Sequence, residues 1–314
     1  MLAFARRRPV LSHFLLSFLI ASLVIVFAVA AFIVNPASAG ATTTLVNNIT
    51  ASDGYINLLT IASETVKQPM LLTIFVFAFA PTISALLLAA AGVGGGWSRL
   101  ISRFNPVGPE GTRGRAVRLY LVLLAVYAFG LFVYDWISGP GVNALERLEG
   151  FGAGIVFGAL IGLFVDEGGT LEELGWRGFA WPLLLDSMRS PLVAAVVLGA
   201  LHWGWHLPRE VFTIMGGAPL STFLVNQTVF LVLCIALSIV AGYCVNQAGG
   251  SVWPAIFVHG GSNVWSKAAS DSVTPTFGFL DPRTMMLVVL AVVIAAFAHR
   301  HLGRAAVAAG PSAG

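Results

Sequence analysis

Long apolar runs separated by short polar loops organise the chain. They fall at about 11–34, 70–93, 117–138, 150–166, 191–207, 222–245, 252–268 and 284–300. Several exceed the roughly 18 apolar residues that mark a membrane-spanning helix. The alternating pattern of a membrane β-barrel is absent. The pattern therefore predicts an all-α fold, a polytopic membrane bundle of about eight transmembrane helices. A further segment, 171–186, is apolar but short and carries charge. It is expected to dip into the membrane or lie flat on it without crossing.

The loops set an orientation. Arg6, Arg7 and Arg8 precede the first run, and Arg99, Arg103, Arg113, Arg115 and Arg118 follow the second. Arg189, Arg300 and Arg304 fall on the same side of the predicted topology. Arginine and lysine concentrate in cytoplasmic loops, so both termini are expected in the cytoplasm, which requires an even number of crossings. Arg6–Arg8, an apolar run and Ala37-Ser38-Ala39 resemble a signal peptide, but the run from Phe14 to Val34 exceeds the usual 7–15 residues of such peptides and predicts a retained span. Residues 36–69 form an outer polar loop with a glycosylation sequon at Asn48-Ile49-Thr50 and no catalytic pattern. No linker is long enough to separate two folded domains. Three regions follow one another: 1–149 with three spans, a core at 150–268, and 269–314 with the last span and tail.

Composition agrees with this picture. Hydrophobic residues make up 57% of the 314, and charged residues 10%. The net charge of +3 reports loop arginines and does not call for nucleic acid. The bias toward arginine and alanine suggests GC-rich coding, hence a bacterial plasma membrane. Cys234 and Cys244 lie ten apart in one apolar run, about 15 Å along a helix, too far for a disulfide.

Against this background Glu172-Glu173-Leu174-Gly175-Trp176-Arg177 stands out. An ionisable group at membrane depth costs roughly 2.5–3.5 kcal/mol even on insertion scales, so such groups mark function or tight pairing. On an α-helix Glu173 and Arg177 share a face and pair. Glu172 is rotated by about 100°, aligned with Trp176 and unpaired, which suits a general base. His202 and His206 are also i,i+4, flanked by Trp203 and Trp205. Two imidazoles on one face make a site, including a metal site, worth considering, although HExxH is absent. His259 and Asn263 repeat the spacing and could hold an oxyanion. Gly260 and Gly261 beside them leave room for close helix packing or substrate. His13, His299 and His301 lie near span ends beside arginines and read as interfacial. Asp166 and Glu167 read as the end of a span, with Glu167 a minor candidate for a second carboxylate.

Taken together, these stretches resemble the CPBP family, the CAAX protease and bacteriocin-processing (Abi) intramembrane proteases. Glu172, Glu173 and Arg177 meet its EExxxR motif. His206, in Trp205-His206-Leu207-Pro208, meets its histidine motif, with His202 standing where the family usually has a bulky residue. His259 and Asn263 meet its His-xxx-Asn motif. The resemblance covers roughly 150–268.

It implies hydrolysis of a peptide bond near the cytoplasmic face. Glu172 would activate water with His206, His259 and Asn263 would hold the oxyanion, and Glu173 and Arg177 would be the supporting pair. No cofactor is expected; zinc is chemically possible, with Glu172, His206 and His259 as ligands. The expected partners are the lipid bilayer and a membrane-associated peptide or protein substrate, with no nucleic acid. Two other functions compete with an endopeptidase. One is a non-catalytic bacteriocin-immunity or scaffold protein; the other is a proton-coupled transporter, which the lack of internal repeats disfavours.

Overall fold

The computed structural model describes residues 2–37, 40–42, 44–45, 57–138, 164–268 and 282–303. The predicted span 150–166 lies almost wholly outside them, as do the sequon, Arg304 and the boundary at 149/150. The described residues form an all-α bundle without strands. Its long helices are α1 (Pro9–Val34), α2 (Leu71–Ala90) and α3 (Arg113–Ser138). A continuous helical rod, α4, joins Glu167–Glu173, Leu174–Ala180 and Trp181–Ser187. Then follow α5 (Pro191–His206), α6 (Leu220–Gln247), α7 (Trp253–Ala268) and α8 (Pro282–Val293). By length and composition α1, α2 and α6 are fit to cross a membrane among the described residues.

The membrane assignment shows on the surface. Leu11, Leu15, Leu19, Leu23 and Phe27 make an exposed apolar ridge on α1. Water would tolerate such a ridge poorly; lipid does not penalise it. The opposite face of α1 carries His13, Ser17, Ala21 and Ala28, all buried. Small residues at this spacing let α1 lie close against α2. His13 is therefore not interfacial. It faces α2, where its Nδ1 lies 3.2 Å from Ser84 Oγ, and its ring meets Trp176 edge-on at 5.2 Å.

Close backbone approaches fix the helices around the carboxylates. A Cβ on Gly169 would lie 2.6 Å from Gly260 N and 2.9 Å from its Cα. A Cβ on Gly175 would run into the backbone of Pro81. Tyr127 of α3 occupies the space beside Gly261 and donates to Val258 O at 3.0 Å. Gly169→Ala should force α4 and α7 apart, costing about 1–3 kcal/mol by overpacking. A lowered Tm in detergent would show it, and an unchanged Tm would contradict the packing described.

The middle of α4 is not α-helical. Leu174–Ala180 is π-helix, and Trp181 N–H donates to Trp176 O, five residues back. Pro182 supplies the reason: it has no N–H for the carbonyl four residues earlier, and its ring crowds that carbonyl. The preceding turn widens instead. Such π segments recur at functional sites.

One end of the described bundle gathers several of the arginines, apart from Arg209 and Arg283, which line the cavity. Arg8 precedes α1, Arg99 meets Asp186 at the end of α4 at 3.3 Å, and Arg113 opens α3. The loop at 102–112 is tied to the same end through Val252 N–H to Arg103 O at 2.9 Å and Trp253 Nε1 to Phe104 O at 2.7 Å. Cys234 and Cys244 are both buried and unbridged.

Candidate active site

The carboxylates sit on the α-helical turn just before the π segment, and their two side chains part company. Glu173 points into the protein and is fully buried. Arg177 Nη1 donates to its Oε1 at 2.7 Å, and His259 Nδ1 lies 2.7 Å from the same oxygen. Arg177 Nη2 donates to Ser238 Oγ of α6 at 3.0 Å. This buried triad ties α4, α6 and α7 together. The spacing of Glu173 and Arg177 predicts their pairing; the third member, His259, comes from another helix and is invisible to spacing.

Glu172 faces a cavity of about 950 Å³. Its Oε2 lies 2.8 Å from His202 Nε2, so it is not unpaired as a helical wheel suggests. Trp176 packs against the His202 ring at 5.1 Å and 31°. His206 stacks on His202 from the other side, 5.1 Å away and 26° off parallel. Trp205 and Phe230 press on His206 at 4.4 and 5.0 Å. The aromatic wall thus orients both imidazoles and excludes solvent from one side.

Glu172, His202, His206, His259 and Asn263 all line the same cavity. Glu173 and Arg177 do not; they lie behind its wall. The seven residues singled out in the sequence are therefore brought together, in two layers.

Asn263 is held more tightly than its spacing to His259 suggests. Its Nδ2 donates to Asp166 Oδ2 at 3.0 Å, and Arg283 Nη1 donates to its Oδ1 at 3.3 Å. Asp166 also accepts from Gly169 N–H at 2.6 Å, capping α4. Asp166 reads in the sequence as the end of a span. Its place three residues before Gly169 and just ahead of an apolar helix was the available signal for a cap; its contact with Asn263 had none. Arg209 and Arg283, also on the cavity wall, carry no motif at all. Gly168 fits between these groups, since a Cβ there would meet Asn263 Nδ2 at 3.1 Å and His259 Nε2 at 3.2 Å.

Ligand atoms of Glu172, His202 and His206 lie within 4.8 Å of one another. Any metal would sit on this set, with His202 where the sequence suggested His259.

Such an arrangement offers a carboxylate, two imidazoles beside it, and an imidazole–amide pair lining the same cavity, with the His259 ring 5.6 Å from that of His202. It suits addition of water to a polarised carbonyl. Comparison with known proteins points the same way. Residues 152–265 match the family model described as type II CAAX prenyl endopeptidase Rce1-like. No curated protein matches the chain.

Proposed function

We propose, for a chain whose residues 152–265 match the Rce1-like CAAX endopeptidase family model, an intramembrane endopeptidase that uses Glu172 as its base. The family supports hydrolysis of peptide bonds by an integral membrane protein. The observation that carries the finer reading is the division of the two glutamates: Glu172 on the cavity wall against His202, Glu173 sealed behind it by Arg177 and His259.

In this reading His202 fixes one oxygen of Glu172 and leaves the other to a water, which His206 helps to orient. The water oxygen attacks the scissile carbonyl carbon while Glu172 takes its proton. His259 and Asn263 stabilise the resulting oxyanion, which preorganised groups do at no reorganisation cost. Collapse breaks the C–N bond, Glu172 returns the proton to the leaving nitrogen, and a carboxylate and an amine result. Glu173 would orient His259 for this role, and Asp166 with Arg283 would orient Asn263. The test is reconstitution into liposomes with a pool of apolar membrane peptides. New termini should appear with the wild type and not with Glu172→Gln; equal cleavage by both would refute Glu172 as base.

The histidine–carboxylate cluster also favours a second reading, a zinc hydrolase. The 2.8 Å separation of Glu172 Oε2 and His202 Nε2 is a hydrogen-bond length. Two donors on one tetrahedral zinc stand about 3.3 Å apart, given bonds of about 2.0 Å. The metal-free reading therefore stands first. Elemental analysis should find no stoichiometric zinc, and a chelator should leave cleavage intact. One zinc per chain, with cleavage lost on chelation, would reverse the order.

A further inference from the structure

Between α2 and α3 lies a short helix that takes no part in the cavity. Gly96–Ile101 is α-helical, and Ser102–Phe104 continues it as a tighter turn. α2 has 20 residues, about 30 Å of helix, which matches the hydrocarbon thickness of a bilayer. That length places its last residue, Ala90, at one membrane surface, and the short helix begins just beyond it. The chain turns between them through Gly92, Gly94, Gly95 and Gly96, all with positive φ, a conformation that side chains rarely permit.

The short helix is held by one edge. Leu100 is buried in an apolar cluster with Leu88, Val93, Leu174 and Phe179, against the end of α2 and the start of the π segment. Trp97, Ile101 and Phe104, at i, i+4 and i+7, share the neighbouring face and stay exposed, at 51, 41 and 39%. At 100° per residue, Ser98, Arg99 and Ser102 fall on the opposite arc. Three large apolar side chains grouped on one surface mark an interaction face. At the end of a membrane span that face meets the boundary between headgroups and acyl chains, where tryptophan is favoured and amphipathic helices lie flat.

Charge selects the lipid. Ala5 belongs to the same buried cluster as Leu100, which brings the exposed Arg6, Arg7 and Arg8 beside the short helix. Tyr120 Oη donates to Pro106 O at 2.7 Å, which brings in the exposed Arg113, Arg115 and Arg118 from the first turns of α3. The carboxylates of this end among the described residues are Glu110 and Asp186, and Asp186 already meets Arg99. Clustered arginines at a membrane surface attract anionic headgroups. We infer that Trp97, Ile101 and Phe104 seat the short helix flat in the membrane that α2 crosses, and that the arginines of 6–8 and 113–118 hold an anionic phospholipid against it. The inference rests on the membrane assignment and is independent of what the cavity catalyses.

Fluorescence of the full-length protein in vesicles tests both parts. In a Cys234→Ala, Cys244→Ala background, a bimane on Ile101→Cys should be quenched by phosphatidylcholine brominated in its acyl chains. A bimane on Ser98→Cys should instead be quenched mainly by aqueous iodide. Iodide quenching of both alike, with no effect of bromine, would overturn the seating. For the lipid class, brominated phosphatidylglycerol and brominated phosphatidylcholine are compared at the same small fraction in plain phosphatidylcholine. The anionic lipid should quench Ile101→Cys more strongly, and Arg7→Gln with Arg115→Gln and Arg118→Gln should weaken that preference by about fivefold for each arginine near the lipid. Equal quenching by the two lipids, or a preference that the triple replacement leaves intact, would overturn the anionic partner.

Discussion

Glu172→Gln is expected to lower peptide-bond cleavage by about 10²- to 10⁴-fold, the usual range for loss of a positioned general base. Gln is close in size and keeps an oxygen to accept from His202, so the aromatic wall of Trp176, Trp205 and Phe230 stays in place. The variant should insert normally and melt close to the wild type. That contrast separates a chemical role from a structural one. A variant that both folds and cleaves at the wild-type rate would remove Glu172 from the chemistry. Rates on one purified membrane peptide, followed by mass spectrometry alongside thermal unfolding in detergent, provide the check.

Arg177→Met is expected to act in the opposite manner, on the fold before the chemistry. Arg177 and Glu173 are both fully buried and in contact at 2.7 Å. Removing one member of a buried ion pair typically costs about 3–5 kcal/mol, because the other charge is left uncompensated. Here that charge is the carboxylate on which His259 rests, and Ser238 also loses its donor. The variant should therefore melt far below the wild type and lose activity secondarily. Adding Glu173→Gln should restore much of the stability, since Gln still accepts from His259 and no longer leaves a charge behind. If Arg177→Met melts with the wild type, or if the double variant is no better than the single, the triad does not hold the helices as described.

Much of this site was legible in the sequence because membrane depth makes polar residues conspicuous. Glu172, Glu173 and Arg177 stood out against a chain with 10% charged residues, and the structure brings them together with His206, His259 and Asn263. The i,i+4 rule anticipated the Glu173–Arg177 contact. What it could not carry is tertiary. The 100° helical wheel left Glu172 without a partner, but the partner is His202, thirty residues along on another helix. The histidine whose place the family gives to a bulky residue is the one touching Glu172. Nor does periodicity report the π segment, which arises where Pro182 denies a hydrogen bond.

The span pattern succeeded for the long apolar helices α1, α2 and α6, whose lipid-facing ridges need no partner to be recognised. The segment 171–186 belongs to a rod running from Asp166, beside Asn263, to Asp186, beside Arg99. Its charges are met both within the rod, where Arg177 pairs with Glu173, and from other helices, where His259 and His202 meet Glu173 and Glu172. His13 was misread: a histidine near arginines looks interfacial until α2 supplies Ser84 and α4 supplies Trp176.

The central claim is that Glu172 drives hydrolysis inside the membrane. Its most direct test is a quantitative map of new peptide termini in membranes from cells expressing the wild type or Glu172→Gln at matched levels. Termini that appear with the wild type alone are the predicted result, and they would name the substrates in the same step. Identical maps, with both proteins inserted and stable, would contradict the claim and turn the cavity into a binding site of an immunity or scaffold protein.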